Sequence, residues 1–334
     1  MRAVWCFLGL LAISPCAAQE AAPSGDPRIV APGSKWEVLW DEGEFTEGVA
    51  VAPGGEVYFS DIAIAGTQAG RIMKFSPRTG KTEVHVADSG QSNGLFFDRS
   101  GRLLAVCGAN RGHRGLCEVT SRGTLRMLVD RFEGKRFNAP NDLVVHPKGW
   151  VYFSDPRYVG FEPLELDQMS VYRWIPGGKV VRATDAITKP NGVIFSPGGK
   201  ILYVAETDNG SPGLPDSPPP AAPGRMTLNA FPVAADGSLG EKTVIVDFGK
   251  ELGIDGMTTD VEGHIYAAVR SERRHGIVVY SPEGKELAFL PTEALPTNCT
   301  FGTGDESKIL YATVGSGLYR MPLQIAGYHP ELAP

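Results

Sequence analysis

Residues Pro140–Pro156 read PNDLVVHPKGWVYFSDP, and Pro190–Glu206 read PNGVIFSPGGKILYVAE. Each has a Pro-Asn pair, an apolar run, a Pro/Gly turn, a second apolar run and a closing acidic residue. The same phrase returns as EGVAVAPGGEVYFSD from Glu47, SNGLFFDRSGRLLAVC from Ser92, IDGMTTDVEGHIYAAV from Ile254 and TNCTFGTGDESKILYAT from Thr297. The polar residue at its head is Glu47, Asn93, Asn141, Asn191, Asp255 and Asn298 in turn, at spacings of 46, 48, 50, 64 and 43 residues. Self-similarity at such a period marks a repeat architecture. Two further short segments rich in Val, Ile, Tyr and Phe follow the phrase in the first five repeats, as in GRIMKFSP and KTEVHVAD after the first. Four strands in about 45 residues make one blade of a β-propeller. No helical periodicity competes.

The expected fold class is therefore all-β: a six-bladed propeller over residues 35–327 with four antiparallel strands per blade. The sixth phrase is followed by too few strands, ending in GLYRMPL, while KWEVLWDE stands unpaired before Glu47. The N-terminal strand is expected to complete the last blade and remove a bare sheet edge. Strands alternate in direction, so the six head residues share one face with the second-to-third strand loops and the blade-to-blade loops. These loops are long, above all RYVGFEPLELDQ and the proline-rich NGSPGLPDSPPPAAPG from Asn209. Long loops on a rigid scaffold are where sites are built.

The 334 residues carry 42% hydrophobic side chains, ample for a core, and 41 Gly with 26 Pro lie between the apolar runs as turn residues. A net charge of −6 gives no footprint for nucleic acid. Residues 1–18 combine Arg2, an apolar stretch from Ala3 to Ile13 and small residues at Cys16-Ala17-Ala18. They read as a signal peptide, with a lipoprotein Cys16 as the rival, so an exported chain, periplasmic or secreted, is expected. Residues 19–34 are expected as a flexible lead-in and residues 328–334 as a tail. No run is long enough for a membrane span. Cys107 and Cys117 flank the loop GANRGHRGL and stand either as a disulfide or as two small buried thiols. No Cys-x-x-Cys occurs to support zinc or thioredoxin chemistry. No GxSxG elbow suggests a serine hydrolase.

Six oxygen-bearing head residues converge on one mouth of the channel, two of them acidic. Such a set suits a hard divalent cation, Ca2+ before Zn2+. A lone Asx before a strand is usually a turn former. Two carboxylates and four amides at one position of six repeats tip Glu47, Asn191 and Asp255 toward a site. Arg136, Asp155, Tyr158 and Asp208 are placed on the same face as pocket candidates, with loop salt bridges and caps as the competing role. His113 and His275 share that face but lack a partner at a head position. His146 and His264 fall in turns of the opposite face and are expected to be exposed.

The blocks EGVAV, PNDLVV…VYFSDP, PNGVIFSPGGKILYVAET and DGMTTDVEGHIYAAV, in this order, resemble the gluconolactonase, regucalcin (senescence marker) and diisopropyl fluorophosphatase superfamily of calcium-dependent six-bladed propellers. The resemblance spans about residues 37 to 323. It implies a catalytic Ca2+ held by Glu47, Asn141, Asn191 and Asp255. Asn93 and Asn298 stand as substrate-binding candidates, with turn formation as the competing role. The resemblance further implies a small-molecule substrate, a sugar lactone, hydrolysed with Asp255 or Glu47 as general base. A phosphotriester hydrolase at the same metal and a non-catalytic propeller with a structural Ca2+ are the alternatives. Animal regucalcin-like members carry an Arg two places before the third-blade Asn; here Ala139 stands there and Arg136 is out of register.

Overall fold

The computed structural model describes residues 22–64, 69–214 and 222–330. Six four-stranded antiparallel sheets follow one another around a central axis. The innermost strands are Thr46–Val51, Ser92–Phe97, Leu143–Val145, Pro190–Phe195, Ile254–Thr259 and Pro296–Phe301. The predicted six-bladed propeller of four-stranded antiparallel sheets is what the chain adopts.

Burial explains why the second strand of each blade is the most apolar stretch of its repeat. Leu103–Cys107, Val151–Asp155 and Ile265–Val269 are buried at every position, because both faces pack against neighbouring blades. Outer strands such as Leu125–Val129 and Val180–Thr184 are half-exposed to exposed along their length, and their sequences are correspondingly mixed. The core is thus a set of inter-blade clusters. The largest joins blades three, four and five through Tyr152, Phe195, Leu202 and Ile265.

Closure follows the expected route. Glu37–Trp40 pairs antiparallel with Gly317–Pro322, setting Glu37 opposite Arg320 and Val38 opposite Tyr319. The Arg320 guanidinium adds an ion pair to Glu37 at 2.8 Å. Preceding residues depart from the flexible lead-in expected of them. Ser24–Gly25 adds a fifth strand to blade five, and Ile29 and Val30 are 1% and 4% exposed. Their apolar side chains have a groove to fill between blades five and six. The tail is likewise tied down as far as it is described: Tyr328 N–H donates to Thr259 O and His329 Nε2 meets Gly302 O at 3.0 Å. The expected signal peptide lies outside the described residues.

Near the axis each seam between blades carries a buried or part-buried bond. Ser60 Oγ donates to Asn93 O, Gly94 N to Asn141 O, Val193 N to Asp142 Oδ2, Thr207 Oγ1 to Ile254 O, and Thr297 Oγ1 to Thr46 O. Between blades five and six Cys299 Sγ donates to Tyr266 O. Each such bond contributes about 1 kcal/mol net and leaves a larger penalty if one partner is removed. His146 corrects an expectation: it is 6% exposed, stacked on Trp150 and edge-on to Phe195. Cys107 and Cys117 are free thiols with their sulfurs 3.9 Å apart, and no disulfide joins them.

Candidate active site

The closing acidic residue of the repeated phrase proves to be a fastener. Asp155 is fully buried, and its two carboxylate oxygens accept from Asn138 N at 2.9 Å and Ala139 N at 2.8 Å. Asp61 does the same for Glu44 N and Phe45 N, and Glu206 for Thr188 N. Each pins the loop entering its blade two or three residues before the head residue, so the head side chain leaves a fixed backbone. Burial lifts the Asp155 carboxyl to about 7 against these donors and the nearby Arg114 and Arg157. Asp155 therefore acts beneath the site and does not line it.

The backbone then bulges. Register shifts fall at Glu47/Ala50, Ser92/Leu95, Pro190/Val193, Ile254/Met257 and Pro296/Asn298. A bulge re-aims a side chain at a strand end, and in blades one, two, four and five a glycine follows the head residue. Its need is steric. A Cβ on Gly192 would lie 2.2 Å from Asp255 O, and one on Gly48, already at φ +52°, 1.9 Å from Asn93 O. The ring closes because these positions carry no side chain.

A cavity of about 320 Å3 opens at this mouth. Glu47, Asn93, Asn141, Asn191 and Asp255 line it, together with Tyr158. Its other walls come mainly from the two loop sets expected there, with Phe45, Ile62, Ile64, Gly108–Asn110, Leu252 and Arg270 among them, and from Thr207 at the end of strand Ile201–Thr207. The four predicted metal ligands thus meet in one place. Glu47 and Asp255 are 3% and 7% exposed. Burial first, then the charge of Asp255, holds the Glu47 carboxyl well above the usual range. Burial also raises Asp255, but Arg270 and a hydrogen bond from Asn191 pull it back.

Arg270 is the main residue that sequence reasoning missed. Its Nη1 lies 2.9 Å from Asp255 Oδ2, and its guanidinium stands 5.7 Å over the Phe45 ring. It follows directly on the second strand of blade five, and that loop-facing position was its one available signal. Gln91 is a second omission. It sits at φ +59°, uncommon for a non-glycine, and its buried Oε1 has no hydrogen-bond partner. Asp142, next to Asn141, is a third: it lies buried on the axis, lifted to about 7 by burial, and accepts from Val193 N and Leu143 N.

Four other candidates stand elsewhere. Arg136 belongs to a small hairpin and is spent on Asp130 Oδ2, at 2.9 Å, and on the carbonyl of His113. Asp208 lines a neighbouring depression with Lys189, where it accepts from Thr188 Oγ1 and Gly210 N. Asn298 turns down the axis, accepting from Cys299 N at 2.8 Å and bonding Asp142. Asp155 is the fastener described above. Tyr158 keeps its place in the wall, with its hydroxyl on Thr207 O and the Lys189 ammonium 4.5 Å over its ring.

The donor set fits a hard cation. Asp255 can only accept, so it takes the Asn191 amide N–H. That leaves Asn191 Oδ1 buried with no hydrogen-bond partner beside two carboxylates and a single guanidinium. An orphaned buried acceptor and an excess of buried negative charge both call for a positive partner. The ligands offered are oxygens alone, which select Ca2+, Mg2+ or Mn2+ over softer ions.

A propeller with a carboxylate-and-amide cavity at one channel mouth defines the class of protein. Residues 45–316 match the family model "SMP-30/Gluconolactonase/LRE-like region", and the chain belongs to that family. It is 26% identical to a gluconolactonase of Zymomonas mobilis, over 87% of this chain and 80% of that one. It is 27% identical to a pentonolactonase of Haloferax volcanii, over 78% of each. Among solved structures, a gluconolactonase of Xanthomonas campestris superposes with a TM-score of 0.76 at 26% identity, covering 91% of this chain and 95% of that one. A regucalcin of Agrobacterium tumefaciens, described as a calcium-binding protein, shares the fold at TM-score 0.67 and 23% identity, covering 87% and 94%.

Proposed function

We propose that this chain is an exported, divalent-metal-dependent hydrolase of sugar lactones, with Ca2+ as its ion. The observation that carries the reading is the orphaned Asn191 Oδ1 beside buried Glu47 and Asp255 in a cavity of substrate size. The names of the Zymomonas, Haloferax and Xanthomonas relatives support the lactone. Glu47, Asn141, Asn191 and Asp255 would hold the cation. When bound, it supplies Lewis-acid polarisation of the lactone carbonyl.

The chain's own residues do the rest. Asp255 is the general base: Arg270 and Asn191 both donate to it and oppose the effect of burial on its carboxyl, whereas among the described residues Glu47 accepts a hydrogen bond from Gly48 N alone, at 3.2 Å. Asp255 takes a proton from the attacking water, the ring C–O bond breaks, and the same proton passes to the departing ring oxygen. Lactone and water become one hydroxy acid. Arg270 fixes the Asp255 carboxylate as it works. Gln91 Oε1 and Asn93 accept and donate to ring hydroxyls. Tyr158 and Phe45 close the cavity against bulk water.

The wall favours a second substrate class as well. Phe45, Ile62, Ile64, Val159 and Leu252 give it a large apolar share, which suits a less hydroxylated lactone or a phosphotriester at the same ion. One assay separates these readings: hydrolysis of aldonolactones, alkyl lactones and a phosphotriester, with and without chelator, by wild type and Asp255→Ala. The expected result is aldonolactone turnover that is lost on chelation and falls about 10^3-fold in the variant. Turnover surviving both treatments overturns the metal mechanism, and preference for the alkyl lactone or the phosphotriester overturns the sugar.

A further inference from the structure

Blade two carries a second constellation, none of whose donors lines the cavity of Glu47 and Asp255. Cys107 ends the strand Leu103–Cys107, Cys117 lies on the adjacent strand Gly115–Val119, and His113 stands on the loop between them. The donor atoms of these three residues lie within 4.8 Å of one another. A fourth soft atom joins from the outer strand: Met127 pairs directly opposite Cys117, with its Sδ 3.8 Å from the Cys117 sulfur.

We propose that Cys107, Cys117 and His113, with Met127 as a weaker fourth donor, form a binding site for a soft d10 cation of the copper(I) class. The spacing suits one ion. Two thiolates about 2.3 Å from a shared metal stand about 3.8–4.0 Å apart, and the two sulfurs here are 3.9 Å apart. A disulfide needs about 2.05 Å, and the register opposes it. Cys107 is paired with Gly115 and Cys117 with Ala105, so the two cysteines are diagonal and not directly opposed.

The surroundings hold the donors in place. The His113 ring lies over Gly90, where a Cβ would come within 2.5 Å of it. Met127 Sδ lies over Gly115, where a Cβ would come within 2.9 Å. His113 N–H donates to Gly90 O at 2.9 Å, and the Arg136 guanidinium bonds the His113 carbonyl while pairing with Asp130. This loop anchorage is the role the structure assigns to Arg136. Both thiols are buried, while His113 and Met127 reach solvent and give the ion a way in.

The donor set selects the ion. Thiolate and thioether sulfur with one imidazole suit copper(I), whereas zinc prefers four thiolate, imidazole or carboxylate donors and gains little from a thioether. Binding releases the two thiol protons to solvent. No electron transfer is required.

The test uses the reduced full-length chain under nitrogen, titrated with copper(I) against a chromophoric copper(I) chelator, and in parallel with zinc. One equivalent of copper(I) should bind with a thiolate charge-transfer band. Cys117→Ser should weaken it by at least about 100-fold and Met127→Leu by several-fold, with zinc indifferent to the second change. Cys299→Ser should bind as wild type does. His113→Ala alters an exposed side chain and serves if a thiol variant fails to fold; it should weaken binding about 10–100-fold. Absence of saturable uptake, or uptake unchanged in both Cys117→Ser and His113→Ala, overturns the site. Zinc bound more tightly than copper(I) overturns the choice of ion.

Discussion

Blades five and six place Asp255 and Asn298 at the same point of the same phrase, yet only Asp255 lines the cavity. The difference lies two strands away. In blade five the second and third strands are joined by the loop 270–275, which brings Arg270 over the mouth. In blade six Ile309–Val314 turns into Gly317–Pro322 through Gly315 and Ser316 alone. With no wall above it, Asn298 folds down onto Cys299 N and Asp142. The repeat decides where the head residue's backbone goes. The loop beside it decides whether that residue serves the site or the axis.

The largest expected effect sharpens this contrast. Glu47→Gln keeps the shape of a cavity residue and removes its charge. Lactone turnover at saturating Ca2+ should fall about 10^3-fold, and calcium affinity measured calorimetrically should fall with it. A variant that turns over normally would move Glu47 from the site to the axis.

Gly192→Ala tests the scaffold that both blades share. Its Cβ would meet the Asp255 carbonyl at 2.2 Å, and backbone cannot rotate away as a side chain can. A loss of about 3 kcal/mol in urea-unfolding stability is expected. Activity should fall with it, because the carbonyl displaced belongs to Asp255, the proposed base. An unchanged urea midpoint would mean that the inner strands are free to spread.

Arg270→Ala carries a smaller effect with a definite sign. Arg270 lowers the Asp255 pKa against burial. Without it the carboxyl is raised further, so it becomes an ionised base only at higher pH. The acid limb of the kcat profile should shift upward, with a loss of about 10–100-fold at neutral pH that shrinks as pH rises. Arg270→Lys should restore the limb in part. A profile that drops evenly at every pH would assign Arg270 to substrate binding instead.

The blades and the loop face were legible because each is a local pattern repeated six times, and the closing strand because the sixth copy of that pattern lacks one. All six head residues were legible because they occupy a fixed place in that pattern, and the narrowing to Glu47, Asn141, Asn191 and Asp255 came from the family resemblance. Arg270 and Gln91 come from loops that no other blade copies, and their roles depend on what they meet in space. Asp155 stood between pocket wall and loop cap because its face was known and its depth was not; the two N–H groups whose bonds it accepts decide for the cap and are invisible in sequence. The Cys107–His113–Cys117 cluster escaped for a related reason. Its spacing matches no familiar metal motif, and Met127 joins only once strand pairing is known.

The smallest effect is the most discriminating. Asn298→Ala removes the head residue of blade six, so a ring in which all six side chains contact substrate predicts a large loss of activity. The structure predicts otherwise. Asn298 touches Asp142, Cys299 N and Gly256 and lies outside the cavity wall. Its removal should leave kcat and KM within about threefold, since no contact to substrate or reacting atoms is lost. The cost should appear in stability, about 1–2 kcal/mol, because Asp142 loses a buried donor and Cys299 N a buried acceptor. Part of that cost should depend on pH. The Asp142 carboxyl, raised to about 7, favours folding while protonated and loses that contribution as pH rises through its folded pKa. Without the Asn298 donor its charged form is less favoured still, so Asn298→Ala should lose more stability at pH 8 than at pH 5. Equal losses at both values would place the Asn298 amide away from Asp142, and a collapse of kcat would return it to the site with Asp255.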